Sequence, residues 1–560
     1  MKRVWLIAAL IALVCAGPAL AKKNGGGAAV TVTVDAALNQ HPISPLIYGV
    51  TTYNTTTLLG LNAPLNRLGG DDYPTYNWQL NAGNPGNDHF FESVPQDGNP
   101  APAGAVDDFI AVTQAGHAAP MVTVPLLGMV ANLGPGRTPL ASFSIAKYGA
   151  QCASDPSFPD AGDGIATDCK TWLTGNDPSD AYVPDSLANE QGFVQHLVSQ
   201  WGGAANGGVR YYLMDNEPSN WAQTHRDVHP VGQHANEERD SVIAYSAMVK
   251  SVDPNALVIA AEEWSWWAAL YSGFDQQLID QGTNQPLPDR TNIQNGMNYL
   301  PWLLSQWHDA GHPIDVVSTH YYPQGGEPGN DVSPAMQLLR NRSTRQLWDP
   351  NYTTEDWMQL RIGAIPQLRA WTDAYYYAGV PIGITEYSWG ADANINGATA
   401  EADILGIFGR EGLAMAGRWL APDSSTPTYK AMQLYRNYDG NDSTFGDVSV
   451  LASAPNPDNL SAFAALRSSD GALTVMVVNK VLSGAANLTL ALSQFTMGGT
   501  VQAYQLTAAN QIATLPPPTV KKVKKIKLTL PAQSITLFVI PGSAQNCNAA
   551  DPAKKKKKGC

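Results

Sequence analysis

The segment "VRYYLMDNEP", residues 209–218, decides the fold. Tyr211 to Met214 form a short apolar run, typical of a strand that is buried on both faces. Asp215, Asn216 and Glu217 follow at once, and Pro218 ends the run. Burying carboxylates is costly unless they find partners. The polar residues therefore mark either a capped surface turn or a reaction site at the end of a buried strand.

The same pattern, an apolar run that ends in polar or aromatic residues, recurs along the chain with helical stretches between the runs. The predicted strands are 45–50, 65–70, 120–129, 209–217, 256–264, 314–322, 381–390 and 416–422, and the predicted helices are 190–201, 237–250, 298–310, 355–379 and 400–415. Eight buried strands followed by helices predict an α/β fold whose parallel sheet closes into a (β/α)8 TIM barrel. An open, doubly wound sheet is the alternative, but no glycine-rich phosphate loop follows the first strand.

The C-terminal part of the chain has a different pattern. From about residue 446, short alternating strands are separated by Gly, Asn and Ser, which predicts a β-sandwich. The early stretch "AVTVTVDA" (29–36) alternates in the same way, so we expect the N-terminal strand to join that sandwich. The predicted organisation is a sandwich strand in 28–44, a catalytic barrel in 45–445, the β-sandwich in 446–542, and a tail rich in lysine and containing cysteine in 543–560.

The N-terminal 21 residues are predicted to be a secretory signal peptide. Lys2 and Arg3 precede an apolar stretch, and Ala19-Leu20-Ala21 is a small-x-small cleavage site. The apolar stretch is shorter than the roughly 20 residues that a transmembrane helix needs. We therefore expect a secreted protein, extracellular or periplasmic, without a membrane span.

Four cysteines remain after residue 21, namely Cys152, Cys169, Cys547 and Cys560. Two local disulfides are the economical pairing in an oxidising compartment, although the other two connectivities stay open. A zinc site is disfavoured because no C-x-x-C pair is present. The net charge of −14 disfavours nucleic acid as a partner. With 15 Trp and 22 Tyr but only 15% charged residues, the composition suits a neutral polysaccharide ligand, and a monomer is expected.

Two glutamates at strand ends are the candidate catalytic pair. In this barrel the C-terminal strand ends face the active site, and Glu217 and Glu386 end the fourth and seventh strands. Two carboxylates about 5–5.5 Å apart can hydrolyse a glycosidic bond with retention, one as nucleophile and the other as acid/base. Such a pair needs different pKa values, which Arg67 or a tyrosine hydroxyl would help to set. The alternative for each glutamate taken alone is a solvated loop carboxylate.

The predicted substrate-binding residues also lie at or just after strand ends, where an amide can bond the sugar 2-OH and rings can stack on pyranose faces. They are Arg67, Trp78, Asn216, Trp221, Trp264, His320, Tyr322, Trp389 and Trp419. Core packing is the alternative for each aromatic residue. We expect Tyr322 to donate to the nucleophilic carboxylate.

Several longer motifs carry a family resemblance. They are "MDNEP" (214–218), "ITEYSW" (384–389), "NRLGGDDYPTYNWQLNAGNPGNDHFFES" (66–93), "YYLMDNEPSNWAQTHRDVHP" (211–230), "STHYYPQ" (318–324) and "RWLAPDSSTPTYKAMQLYRNYDG" (418–440). Over about residues 28–542 the chain resembles glycoside hydrolase family 44 of clan A, whose members are endo-acting β-1,4-glucanases and xyloglucanases with a barrel and a sandwich. The resemblance implies that Glu217 is the acid/base and Glu386 the nucleophile. The segment "NRLGGDD" departs from the family pattern, where a Trp and fewer acids are expected, and this would alter a substrate subsite.

The sequence also offers a candidate metal site and two alternative functions. The loop "CASDPSFPDAGDGIATDC" (152–169) contains Asp155, and Asp160, Asp163 and Asp168 are the candidate ligands of a structural calcium, which the resemblance also allows. No cofactor is expected to be required for catalysis. The alternative functions are another clan A hydrolase (xylanase, mannanase or arabinofuranosidase) and a non-catalytic carbohydrate-binding protein. The latter predicts that one of the two glutamates is replaced, and both are present.

Overall fold

The computed structural model of the protein describes residues 27–283, 286–521 and 524–543. The predicted signal peptide, the Cys547 and Cys560 pair and most of the lysine-containing tail lie outside these residues. Within them, no helix is both long and apolar enough to cross a membrane.

Eight parallel strands close into a barrel and follow one another round it in chain order. These barrel strands, numbered one to eight, are Gly49–Val50, Leu65–Leu68, Ala119–Val124, Tyr211–Met214, Leu257–Ala260, Val316–Tyr321, Ile382–Tyr387 and Met415–Arg418. Each lies in or overlaps a predicted strand, so the predicted barrel is confirmed. The strands read as apolar runs because they are buried on both faces. In barrel strand four, Tyr211 and Leu213 pack inside the barrel, whereas Tyr212 and Met214 pack in the larger core that includes the helices.

The helices surround the barrel. They are Thr55–Leu61, Gly104–Ala115, Ile145–Tyr148, Leu187–Trp201, Trp221–Thr224, Ala235–Val252, Gly273–Asp280, Pro288–Asn292, Tyr299–Asp309, Pro334–Ser343, Ala364–Tyr375, Ile395–Arg410 and Pro427–Arg436. The five predicted helices are present, but the one predicted over 355–379 starts only at Ala364. Its first part is a tight turn, because the Asp356 carboxylate accepts the backbone N–H of Met358.

The second domain is a β-sandwich. Its strands are Ala28–Asp35, His41–Pro42, Val448–Ser453, Leu460–Leu466, Leu473–Asn479, Ala486–Ser493, Gln502–Leu506, Ala513–Thr514, Thr519–Lys521, Lys525–Leu530 and Ser534–Ile540. The N-terminal strand Ala28–Asp35 lies between Val448–Ser453 and Ala486–Ser493, as predicted. Two small sheets lie in loops between barrel elements. One consists of Ala82–Gly83, Glu92–Pro95 and Leu140–Ala141, and the other of Met129–Ala131 and Tyr182–Pro184.

The sandwich packs against helix Ile395–Arg410, which is buried from Ile395 to Gly409. Side chains of the central sandwich strands alternate between two cores: Val475 and Val477 face the sandwich interior, whereas Met476 and Val478 join the barrel-side core. A buried ion pair crosses the interface, with Lys480 Nζ 2.5 Å from Asp403 Oδ2. This helix is the one that follows barrel strand seven, the strand that carries Glu386.

A disulfide joins Cys152 and Cys169, whose Cα atoms are 5.0 Å apart. It closes the loop of residues 152–169, so the predicted pairing of these two cysteines is confirmed.

Candidate active site

The C-terminal ends of five barrel strands bring polar side chains to one place. Arg67 comes from strand two, Glu217 follows strand four, Glu262 follows strand five, His320 ends strand six and Glu386 lies near the end of strand seven. Glu217 has a φ of 50°, in the left-handed region, so the backbone turns sharply there before Pro218 starts a short 3-10 helix. A strained backbone at a non-glycine residue is typical of a functional position. The segment 209–218 thus ends at the mouth of the barrel, where its carboxylates find partners.

Both carboxylate oxygens of Glu386 accept a hydrogen bond from a positioned donor. The Arg67 guanidinium donates to Oε2 at 2.5 Å, and the Tyr322 hydroxyl donates to Oε1 at 2.5 Å. Arg67 is fully buried, and Glu386 is only 6% exposed. The cationic guanidinium and the phenol together hold the carboxylate in one orientation, which suits a nucleophile.

Glu217 has a different environment. Its Oε1 accepts a hydrogen bond from Nδ1 of His320 at 2.8 Å. Burial raises the pKa of Glu217, and the contact with His320 opposes that rise only in part. One carboxylate oxygen of Glu217 and one of Glu386 lie within 4.8 Å of each other. A carboxyl with a raised pKa thus lies beside a carboxylate held by a guanidinium, and such a pair can cleave a glycosidic bond.

His320 is fully buried among carboxylates. Nδ1 contacts Glu217, and Nε2 lies 3.2 Å from Oε2 of Glu262. Burial lowers the pKa of His320, but the neighbouring carboxylates, Glu386 first, outweigh this effect and raise it to about 10. The carboxylates around the ring therefore favour its protonated form, although the Arg67 guanidinium lies beside it.

Three further acidic residues belong to the site, although the sequence assigned them no role. Glu262 is fully buried, and Glu263 accepts a hydrogen bond from the Ser219 hydroxyl, with burial raising its pKa to about 8. Asp71, in the segment that departs from the family pattern, accepts a hydrogen bond from Nδ2 of Asn216 at 3.1 Å. The sequence does show Glu262 and Glu263 directly after an apolar run. A pair of glutamates at that position is equally typical of a surface turn, so the pattern alone does not identify them as site residues.

The predicted amide, Asn216, is joined to the same network. Its Oδ1 accepts from Nη2 of Arg67 at 2.9 Å and from the backbone N–H of Gly70 at 3.3 Å. Of the predicted site residues, the structure therefore brings six together: Arg67, Asn216, Glu217, His320, Tyr322 and Glu386.

Trp419 and Trp264 are half-buried at the barrel mouth. The ring of Trp419 lies 5.9 Å from the Arg67 guanidinium, and a Cβ at Gly70 would come within 2.6 Å of it. Nε1 of Trp264 donates to Gln276 at 3.0 Å. Trp78 is also half-buried, but its ring stacks on Phe193 of helix Leu187–Trp201. Of these three rings, Trp419 is therefore the one that lies beside Arg67.

Two predicted platforms have no free ring face. Trp221 and Trp389 are each only 1% exposed. Trp389 stacks on Tyr321, with ring centroids 5.8 Å apart, and Trp221 packs edge-on against His229. Their positions correct the predicted stacking role, because a ring just after a strand can turn into the core instead of the cleft.

The predicted calcium ligands are not gathered at one point. The carboxylate of Asp160 accepts from the Ser144 hydroxyl, that of Asp163 from the backbone N–H of Ile165, and that of Asp168 from the Thr171 hydroxyl. Each is thus used in local hydrogen bonds, and among the described residues they form no common cluster. The loop instead contributes Asp155, which places a ligand-type atom within 4.8 Å of those of His89 and Glu92. These three residues are therefore close enough together to hold a cation. Burial, with the nearby Asp155, raises the pKa of Glu92 to about 7.

A closed barrel with paired carboxylates at its mouth and a packed sandwich defines the class of protein, a glycoside hydrolase. The family model described as glycoside hydrolase family 44 matches residues 82–325. Endoglucanase A of Paenibacillus lautus is 30% identical over 522 residues, which cover 88% of this chain and 70% of that protein. The chain belongs to glycoside hydrolase family 44.

Solved structures give the same result. CelM2, a bifunctional glucanase-xylanase from a metagenome library, is 54% identical with a TM-score of 0.90, and the match covers 92% of this chain and all of that one. A family 44 xyloglucanase of Paenibacillus polymyxa is 27% identical with a TM-score of 0.76, again over 92% of this chain and all of that one.

Proposed function

We propose that the protein is a retaining, endo-acting glycoside hydrolase that cleaves β-1,4-glucan backbones such as xyloglucan and soluble cellulose. The observation that carries the proposal is the close pair Glu217 and Glu386, whose oxygens approach within 4.8 Å in opposite environments. Inverting enzymes separate their carboxyl groups by about 6.5–9.5 Å to leave room for a water. Relatives described as an endoglucanase and a xyloglucanase support the choice of backbone.

In the first step, Glu386 attacks the anomeric carbon and forms a covalent glycosyl-enzyme. Glu217 gives its proton to the leaving glycosidic oxygen, so the departing sugar chain leaves as an alcohol. Arg67 and Tyr322 keep both oxygens of Glu386 in place, and the fixed geometry lowers the entropic cost of the attack.

In the second step, the ionised Glu217 removes a proton from water as the water attacks the anomeric carbon. The bond to Glu386 breaks, and the sugar is released with its original configuration. The cationic His320 donates to Glu217 at 2.8 Å and so stabilises the carboxylate that exists between the two steps.

Substrate contacts follow from the residues around the pair. Asn216 is the candidate partner of the sugar 2-OH, and Trp419 offers a half-buried ring beside Arg67 for a pyranose face. Neither step uses a metal. The enzyme is proposed to act outside the cell, on the strength of the predicted N-terminal export signal and the disulfide of Cys152 with Cys169. It is also proposed to be a monomer.

A second candidate activity is xylan hydrolysis. It is favoured by one observation: CelM2, which is 54% identical over 92% of this chain, is described as a bifunctional glucanase-xylanase. The catalytic pair would be the same, and the difference would lie in the subsites.

One experiment tests the proposal. Wild type, Glu217→Gln and Glu386→Gln are assayed on xyloglucan, carboxymethylcellulose, lichenan, xylan and glucomannan, and the first product is followed by proton NMR. We expect activity on the β-1,4-glucans with retained anomeric configuration, and large losses in both variants. Wild-type activity in either variant would remove its glutamate from the mechanism, and an inverted first product would exclude the nucleophilic role of Glu386.

A further inference from the structure

We infer that Glu262 is a positioning residue that keeps both ring nitrogens of His320 protonated, so that a buried imidazolium sits between the acid/base and the nucleophile. Nothing in the catalytic scheme above uses Glu262. The inference rests on the proposed function, because the value of the imidazolium depends on the roles of Glu217 and Glu386.

The Glu262 carboxylate lies beneath the site and has no solvent exposure. Its Oε1 accepts from the hydroxyls of Ser318 and Thr385, the latter at 2.8 Å. Its Oε2 lies 3.2 Å from Nε2 of His320 and 3.6 Å from Nη2 of Arg67. The Ser318 and Thr385 hydroxyls and the Arg67 guanidinium all offer protons to it, which is the environment of an ionised carboxylate. Its pKa is lowered by its contacts even though burial raises it.

The two ring nitrogens of His320 both face carboxylates. Nε2 faces Glu262, while Nδ1 lies 2.8 Å from Oε1 of Glu217 and 3.8 Å from Oε1 of Glu386. A neutral imidazole has one N–H, so it can donate to one side only. Donation to Glu217 and to Glu262 at once requires the imidazolium.

Arg67 tests this assignment within the structure, since its Nη2 lies 3.1 Å from Nε2 of His320. A neutral ring that accepted from Arg67 would turn its lone pair towards the ionised Glu262 as well, 3.2 Å away. A protonated Nε2 avoids that repulsion and donates to Glu262, while Nη2 keeps Asn216 as its acceptor at 2.9 Å. The Arg67 cation disfavours the protonated ring, but the carboxylates of Glu386, Glu217 and Glu262 outweigh it. The charged groups that face the His320 ring are thus Glu217, Glu262, Glu386 and Arg67. Glu263 is also close, because its backbone carbonyl accepts the backbone N–H of His320.

The backbone at Glu262 is consistent with a functional role. Its φ of 59° lies in the left-handed region, which is unusual for glutamate. The carbonyl of the same residue accepts the backbone N–H of Glu217 at 3.0 Å. Glu262 therefore reaches the acid/base twice, through this backbone bond and through His320.

The direct test is the protonation state of His320, measured by NMR on protein labelled with ¹⁵N-histidine. The ring signals are assigned by their loss in His320→Gln. In wild type we expect both nitrogens to remain protonated at about pH 8, well above the ordinary histidine pKa of about 6.5. In Glu262→Gln, which keeps the size of the side chain but removes its charge, we expect the neutral-ring signature at the same pH.

Thr385→Val is the matched control. It removes one hydrogen bond to Glu262 but leaves the charge, so the imidazolium signals should persist. A neutral His320 in wild type at about pH 8 would overturn the inference, even if the Glu262 variant failed to fold. Imidazolium signals that survive in Glu262→Gln would overturn it as well.

Kinetics provides a readout that a structural defect would not move. Because the His320 cation lowers the pKa of Glu217, its neutralisation should let Glu217 keep its proton to higher pH. We expect the basic limb of kcat/KM on carboxymethylcellulose to move to higher pH while kcat falls by about 10- to 100-fold. A fall in kcat with an unmoved basic limb would contradict the inference. The NMR result does not depend on catalysis, so wild-type activity in Glu217→Gln would defeat the proposed function without changing the His320 result.

Discussion

The sharpest prediction concerns Glu217→Gln and the chemistry of the leaving group. The carbonyl oxygen of glutamine can still accept the Nδ1–H of His320, which is bonded to Glu217 at 2.8 Å. The substitution therefore removes the transferable proton with little change in packing. We expect an unchanged melting temperature, which serves as the control for folding.

The size of the effect follows from the lost step. General acid catalysis contributes about 10²- to 10⁴-fold, which corresponds to roughly 3–5 kcal/mol of activation free energy. On cellulose or xyloglucan, where an alkoxide would otherwise leave, kcat/KM should fall by that factor. On a dinitrophenyl cello-oligosaccharide, kcat/KM should stay near wild type, because the phenolate leaves without a proton.

The second step gives a further assay. Glu217→Gln lacks the base that activates water, so the glycosyl-enzyme on Glu386 should accumulate after a burst of dinitrophenolate. Azide needs no base and should restore turnover, giving a glycosyl azide of retained configuration. Wild type should lose activity on polysaccharide as pH rises through the raised pKa of Glu217, since only the protonated acid can donate.

Equal losses in kcat/KM on the polysaccharide and the dinitrophenyl substrate would refute this reasoning, because a proton donor is needed only for the poor leaving group. An unchanged rate in azide would point the same way. Glu386→Gln is the contrasting variant, and it should be inactive on both substrates.

Three other predictions concern different contacts. Tyr322→Phe removes a hydrogen bond to the charged Glu386, worth about 1.5–3 kcal/mol, so kcat should fall by about 10- to 150-fold in a carboxymethylcellulose assay; a change below threefold would contradict the contact. Trp419→Ala should raise KM on xyloglucan by about 5- to 30-fold, through loss of about 1–2 kcal/mol of ring contact, and an unchanged KM would exclude the platform. Lys480→Met should destabilise the protein by about 3–5 kcal/mol in urea unfolding, since it leaves Asp403 buried without its cation, and adding Asp403→Leu should restore most of the loss.

Most of the architecture could be predicted from the sequence because burial on both faces leaves a local signature. The eight barrel strands are short apolar runs, and the alternating segments after residue 446 indicate a second, strand-rich domain. The predicted start of the helix over 355–379 was too early. Residues around Asp356 form a turn in which the carboxylate accepts a backbone N–H, and the hydrophobic pattern of the sequence does not distinguish such a turn from the first turn of a helix.

The sequence by itself determined the fold class and put Glu217 and Glu386 at strand ends, because the C-terminal ends of parallel barrel strands must meet at one face. Only the tertiary structure decided what surrounds them. Arg67 meets Glu386 across 319 positions of chain, and no local pattern encodes that contact. The direction of a side chain at a strand end is likewise set by packing: Trp419 borders the catalytic residues, whereas Trp389 stacks in the core. The same reason hid Glu262, since its partners come from three other strands and give a buried carboxylate a function only when the barrel closes.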